Sequence, residues 1–178
     1  MKRARVKPNH ITFAAIISAC LRVKAENQAL VYVDMMVEAD LVGTSAIHSL
    51  MRFYTRQRDQ GKALGYYAMC EQYNLVPTKN IYKELMILYI QSDVEKAHQV
   101  LREMKRREVQ PDAGHYAVLI NAYGNRKRDL SSALMIFNEM KLAGVEPDDN
   151  LYQVMASVYS KNGNYEKAQE YRYKLVKE

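Results

Sequence analysis

Apolar residues in this 178-residue chain recur at i, i+3, i+4 and i+7, the spacing of one face of an α-helix, in nine separate stretches, and a tenth keeps the spacing with Arg172 at one position. One set reads Phe13-Ile16-Ile17-Cys20, Ile47-Leu50-Met51-Tyr54, Tyr82-Leu85-Met86-Tyr89, Tyr116-Leu119-Ile120-Tyr123 and Tyr152-Met155-Ala156-Tyr159. A second set alternates with it: Ala29-Tyr32-Val33-Met36, Ala63-Tyr66-Tyr67-Cys70, Ala97-Val100-Leu101-Met104, Ala133-Ile136-Phe137-Met140 and Ala168-Tyr171-Arg172-Leu175. Polar breakers such as "RDQG", "QSD", "GNRKRD" and "KNGN" separate the two stripes of a pair. After the second stripe the chain reads "REVQPDA" or "AGVEPDD", where a polar residue or Gly ends a helix and Pro-Asp opens the next turn. The pattern predicts helical hairpins written one after another.

The hairpins are copies of one unit. Pro8, Gly43, Pro77, Pro111 and Pro147 are spaced 35, 34, 34 and 36 residues apart. Five residues after them stand Phe13, His48 (or its neighbour Ile47), Tyr82, Tyr116 and Tyr152. An alanine column runs Ala29, Ala63, Ala97, Ala133, Ala168, which we read as close approach of paired helices. The expected organisation is a basic lead-in over residues 1–10, then repeats at 11–44, 45–79, 80–113, 114–149 and an incomplete 150–178. A single hairpin cannot bury its own apolar face, so an all-α solenoid of stacked helix-turn-helix repeats is expected.

Composition fits a folded globular chain, with 48% apolar and 26% charged residues and a mean hydropathy of -0.39. No apolar run reaches the roughly 18 residues of a membrane span, and no membrane association is expected. The net charge of +6 is uneven: Lys2, Arg3, Arg5 and Lys7 open the chain, leaving 22 basic against 20 acidic residues in the remainder. That opening reads equally as an RNA-contacting arm, an added leader or the tail of a preceding helix. Cys20 and Cys70 lack a CxxC or nearby His, and His10, His48, His98 and His115 form no HxxxH or HExxH pair. Metal, disulfide and cofactor sites are therefore not expected. No nucleophile–base pair or Gly-rich phosphate loop appears, and an enzyme is not expected.

The period, the aromatic opening of the first helix and the closing segments "IFNEMKLAGVEPDD" (136–149) and "VLREMKRREVQPDA" (100–113) together resemble the pentatricopeptide repeat family over residues 8–178. The resemblance implies a right-handed α-solenoid that binds single-stranded RNA in an organelle, reading about one base per repeat. It places base-reading residues just after the aromatic and just after the closing proline. Carried onto this chain, the first column is Ala14, His48, Lys83, Ala117 and Gln153, and the second is Thr44, Thr78, Asp112 and Asp148. Only the two aspartates match the family's usual choices. The column expected to sandwich a base reads Ile11, Ser45, Asn80, Gly114 and Asn150, of which Ile11 alone fits. Phosphate contacts fall on Arg22, Arg56 and Lys161, with Gln91 and Asn125 as polar members of that column and Lys83 as a further candidate.

The tyrosines, methionines and cysteines mostly occupy the stripes and are read as core rather than as stacking platforms or reactive groups. "MKRRE" (104–108) is read as a solvated helix end, where cations complement the helix dipole. Two functions follow: non-catalytic single-stranded RNA binding with weak base readout, or a scaffold within an organellar ribosome or other ribonucleoprotein. The resemblance points to the mitochondrion, with the chloroplast as the alternative. "KPN" at 7–9 and the stop at Glu178, short of a closing Pro-Asp, lead us to expect a segment of a longer array.

Overall fold

A computed structural model describes residues 8–175, so the basic opening at Lys2, Arg3, Arg5 and Lys7 lies outside the described residues. All regular structure among the described residues is helical, in ten α-helices joined as stacked pairs. They are α1 (His10–Arg22), α2 (Glu26–Glu38), α3 (Thr44–Gln57), α4 (Gln60–Gln72), α5 (Lys79–Tyr89), α6 (Val94–Arg106), α7 (Ala113–Asn121), α8 (Leu130–Leu142), α9 (Asp149–Lys161) and α10 (Tyr165–Lys174). A π-helical turn, Ala122–Arg126, extends α7.

Two compact units divide the chain, Met1–Leu85 and Met86–Glu178. In the first, α1 packs on both α2 and α3, and α3 packs on α4. In the second, α7 packs on α6, α8 and α9, and α9 packs on α10. The stripes form the interiors. Ile17, Ile47, Leu50, Met51, Tyr54, Tyr82, Tyr116, Leu119 and Met155 are completely buried, the aliphatic and methionine side chains contributing roughly 1.5–3 kcal/mol each of apolar transfer free energy. The alanine column is also inside, with Ala29, Ala63, Ala97 and Ala133 at 0% exposure and Ala168 at 1%. A larger side chain at any of them would force the paired helices apart.

The polar breakers start the second helices. Asp59 Oδ1 accepts from the Lys62 N–H at 3.0 Å, Asp93 Oδ1 from Glu95 at 3.0 Å, Asp129 Oδ1 from Ser132 at 2.9 Å and Asn164 Oδ1 from Lys167 at 3.1 Å. Each satisfies an N–H that the helix itself cannot. Helix ends close through a residue in the left-handed region: Lys24, Asp40, Arg58, Asn74, Glu108, Arg128, Gly144 and Gly163 all have φ between 51° and 82°. Only the last two are glycines, the residue that adopts this conformation without a Cβ penalty.

Two differences from the stripe pattern stand out. At the end of α1 the buried residue is Leu21, and Cys20 is only partly covered. In α10, Arg172 is exposed and Tyr171 is partly buried, so only Ala168 of that stripe is fully inside.

Candidate nucleic-acid interface

The residues following the closing prolines act first on the backbone. Asp148 Oδ1 accepts from the Leu151 N–H at 2.8 Å, capping α9. Asp112 caps α7 in a reciprocal box with His115, whose Nδ1 lies 2.7 Å from Asp112 Oδ1 and accepts from the Asp112 N–H at 3.3 Å. Thr78 Oγ1 faces the Ile81 N–H at 3.5 Å, and Asn9 caps α1 through the Thr12 N–H at 2.9 Å. In α3 the register slips by one: Gly43 takes the capping position and Thr44 is the first helical residue. Ile47, fully buried, accordingly stands where the other first helices carry their aromatic.

The column after the aromatic divides by exposure. Ala14 and Ala117 are buried and carry no polar side-chain atom. His48 and Lys83 are half-buried, and Gln153 is exposed. Of the phosphate column, Arg22, Arg56 and Lys161 are all exposed near the ends of α1, α3 and α9.

Arg22 and Arg56 meet in a cleft of about 850 Å³ between α1 and α3. Lys24, Arg52 and His48 also line it. Lys24 and Arg52 are absent from the sequence-derived columns, although Arg52 stands four residues after His48 and four before Arg56, on the same helical face. Glu26 is the acid that lines the cleft, and its carboxylate is engaged. Its Oε1 accepts from the Tyr54 hydroxyl at 2.8 Å and from Lys62 Nζ at 3.1 Å, and these two bonds hold its pKa below the usual carboxylate value. Burial and the Glu26 bond push the Tyr54 phenol well above its ordinary range. Lys62 Nζ also sits 4.8 Å from the centre of the Tyr54 ring, closing a three-residue clasp between α2, α3 and α4.

The second unit builds the same clasp. Glu95 Oε1 accepts from Tyr123 at 3.4 Å and from Lys127 at 2.9 Å, with Lys127 Nζ 5.2 Å from the Tyr123 ring centre. The cations of "GNRKRD" are thus structural. Arg126 Nη1 donates to the Ile90 carbonyl at 2.7 Å, and Arg128 Nη1 donates to the Lys161 carbonyl. Asn125 is engaged as well, donating to Asn121 Oδ1 at 2.7 Å and accepting from Ser157 Oγ at 3.2 Å. The π-helical turn makes room for these bonds, with Gly124 pressed against Val158 and its carbonyl accepting from Asn162 Nδ2 at 3.0 Å. The four cations that line the cleft, Arg22, Lys24, Arg52 and Arg56, all belong to the first unit. Among the described residues, no group of His, Cys, Asp and Glu could hold a metal ion, and no helix is long and apolar enough to cross a membrane.

Stacked helical hairpins with an alanine seam and capped starts define a helical-repeat protein. Comparison specifies which kind: the pentatricopeptide repeat domain matches residues 1–41, 69–126 and 99–162, and a PPR repeat matches residues 151–178. The chain belongs to the pentatricopeptide repeat family. It is 34% identical over 77 residues to a pentatricopeptide repeat-containing protein of Arabidopsis thaliana named as mitochondrial, a match covering 43% of this chain and 16% of that protein. Among solved structures it resembles PPR10 in complex with an 18-nucleotide psaJ RNA element, with a TM-score of 0.76 and 19% identity over 97% of this chain and 26% of PPR10. It also resembles the PPR domain of protein-only RNase P 1 from Arabidopsis thaliana in complex with tRNA, with a TM-score of 0.71 and 16% identity over 93% of this chain and 88% of that one. The structural likenesses show the shared fold. This chain spans about a quarter of PPR10 and less of the mitochondrial relative.

Proposed function

We propose that this chain binds single-stranded RNA along the first-helix faces of its repeats, without catalysis, in organellar RNA metabolism or translation. The cleft between α1 and α3 carries the reading: Arg22, Lys24, Arg52 and Arg56 line it, and its acid Glu26 is already held by Tyr54 and Lys62. An accumulation of free guanidinium and ammonium groups in a concave site is the electrostatic footprint of a phosphate backbone. The RNA-bound relatives of the same fold support it. Base readout is weak in this reading, because Ala14 and Ala117 are buried and Thr78, Asp112 and Asp148 face backbone N–H groups. Contacts fixed on phosphate position the strand and carry no sequence information. The mitochondrion is the proposed compartment, after the named relative, with the chloroplast as the alternative.

A second reading, a protein scaffold in an organellar ribosome or another ribonucleoprotein, draws on the outer face of α2. There Val31 and Met35 are 56% and 47% exposed beside Asp34 and Glu38, which is unlike an RNA-facing surface.

Fluorescence anisotropy of single-stranded RNA, titrated with salt, separates the two. Counterion release predicts affinity falling log-linearly with salt, with a slope of about 0.7 per phosphate neutralised. An Arg22→Ala/Arg56→Ala variant is expected to lower that slope by about 1.4, while Lys161→Ala lowers it by at most about 0.7. Absence of wild-type binding at low salt, or an unchanged slope in the double variant, overturns the RNA reading and directs attention to protein partners.

A further inference from the structure

His48 stands in a base-reading column, yet its surroundings suit a phosphate. Arg52 follows it by one turn of α3 and Arg56 by two, so the three share a face, and all three line the cleft. The His48 Nε2 faces Glu84 Oε1 of α5 across 3.8 Å, beyond hydrogen-bond reach. Its Nδ1 has no hydrogen-bond partner among the described residues. Both side chains are well covered, at 24% and 14% exposure. Without a ligand, burial and then the charge of Arg52 hold the imidazole below its ordinary pKa. Burial pushes the Glu84 carboxyl up, while Arg52, Arg56 and Lys83 pull it down. The ring is therefore neutral near pH 7, and the two groups face each other without an ion pair.

We propose that His48 joins Arg52 and Arg56 in taking an RNA phosphate, and does so as an imidazolium backed by Glu84, so that binding draws one proton from solution. The inference rests on the RNA reading given above. A neutral imidazole has one N–H and can serve either Glu84 or a phosphate, whereas the imidazolium has two and serves both. The Nε2–H then points to the carboxylate and the Nδ1–H to a phosphate oxygen. The other charges around the ring explain why the ligand is needed. Arg52 on α3 opposes the imidazolium, Arg22, Lys24 and Arg56 line the same cleft, and Arg52, Arg56 and Lys83 of α5 act on Glu84. Glu26 of α2 is bound to Tyr54 and to Lys62 of α4, which leaves Glu84 as the nearby counter-charge. A phosphate between the arginines cancels the repulsion. Glu84 acts here as a positioning residue.

The ring's pKa is then higher in the complex than in the free chain. The added affinity is complete below the free value, itself lower than the ordinary histidine value, and lost as pH rises through the bound value. One proton permits at most about one decade of affinity per pH unit.

The test uses the whole chain with short oligouridylate, oligoadenylate and oligocytidylate, at fixed ionic strength, between about pH 6 and pH 8. Anisotropy gives the affinity. Calorimetry in buffers of different ionisation enthalpy gives the protons taken up, and thermal melting confirms that each variant is folded. Wild type is expected to bind all three strands about three- to tenfold more tightly at the lower pH. Its proton uptake should approach one near the middle of the range. His48→Gln removes the rise and the proton uptake equally for the three bases. Glu84→Gln keeps binding but displaces the rise to lower pH, a shift that a merely structural glutamate does not produce. A flat wild-type profile, or His48→Gln changing the preference among bases without changing the pH dependence, overturns the inference. If RNA binds and depends on Arg22 and Arg56 but not on pH, the RNA reading stands and the inference falls. If no strand binds at any pH, both fall.

Discussion

Asp148 shows how one residue type can carry two readings. Its place after the closing proline resembles a base-reading position, while its carboxylate accepts the Leu151 N–H at 2.8 Å. The side chains of both Asn and Asp cap helices, and Ala does not. Asp148→Ala is therefore expected to lower stability by about 1 kcal/mol, and Asp148→Asn by only a few tenths, in urea unfolding followed by circular dichroism. Loss of stability in the alanine variant together with unchanged RNA affinity would assign the residue to the fold. Equal loss of stability in both variants would remove the capping account. The sequence alone leaves the two readings side by side, because Pro-Asp before an apolar stripe is both a helix start and the family's closing motif. Arg52 is the converse case. Its charge lies on the His48–Arg56 face at helical spacing, but a reading confined to one column per repeat passes over it.

At the scale of elements the periodicity is highly legible. Each stripe begins within a helix, only Tyr123 and Leu175 falling just past the α-helical ends, and the alanine column is buried from end to end. Departures occur where tertiary contact outweighs pattern. Gly43 takes over a cap so that Ile47 faces the core, and α7 passes into a π-helical turn that no hydrophobic spacing announces. At that turn α9 comes close. A Cβ at Gly124 would lie 2.4 Å from Cγ1 and 2.6 Å from Cγ2 of Val158, a stiff, fully buried side chain. Gly124→Ala is expected to cost about 1–3 kcal/mol through overpacking. Adding Val158→Ala should recover part of this in a double-mutant cycle, a positive coupling that simple loss of backbone freedom does not give. Equal costs with and without Val158 would show that the contact is not the cause. The cations of "GNRKRD" teach a related lesson. The sequence sets three cations side by side there, and the structure has Arg126 and Arg128 bind main-chain carbonyls and Lys127 bind Glu95.

Across the whole molecule, phenols are the most systematically perturbed acids. Burial raises the pKa of Tyr54 and Tyr66 in the first unit and of Tyr89, Tyr123 and Tyr171 in the second, with Tyr171 pushed up to about 12. A folded-state pKa raised above the ordinary value near 10 gives stability that is complete below that value and lost as pH rises through the folded one. The midpoint of urea unfolding should thus hold steady from about pH 7 to 9 and fall steeply from about 10 to 12. Tyr171→Phe should soften the fall, and an equally steep fall would show that this phenol does not drive it. The clasps have a further meaning. This chain has 14 tyrosines and no tryptophan, so its ultraviolet emission is tyrosine emission alone. A phenol that donates to a carboxylate is dimmed in its excited state, and Tyr54 and Tyr123 each donate to one. Each unit thereby carries a native optical label at a joint between helical pairs, dark while the joint is closed and brightening as it parts.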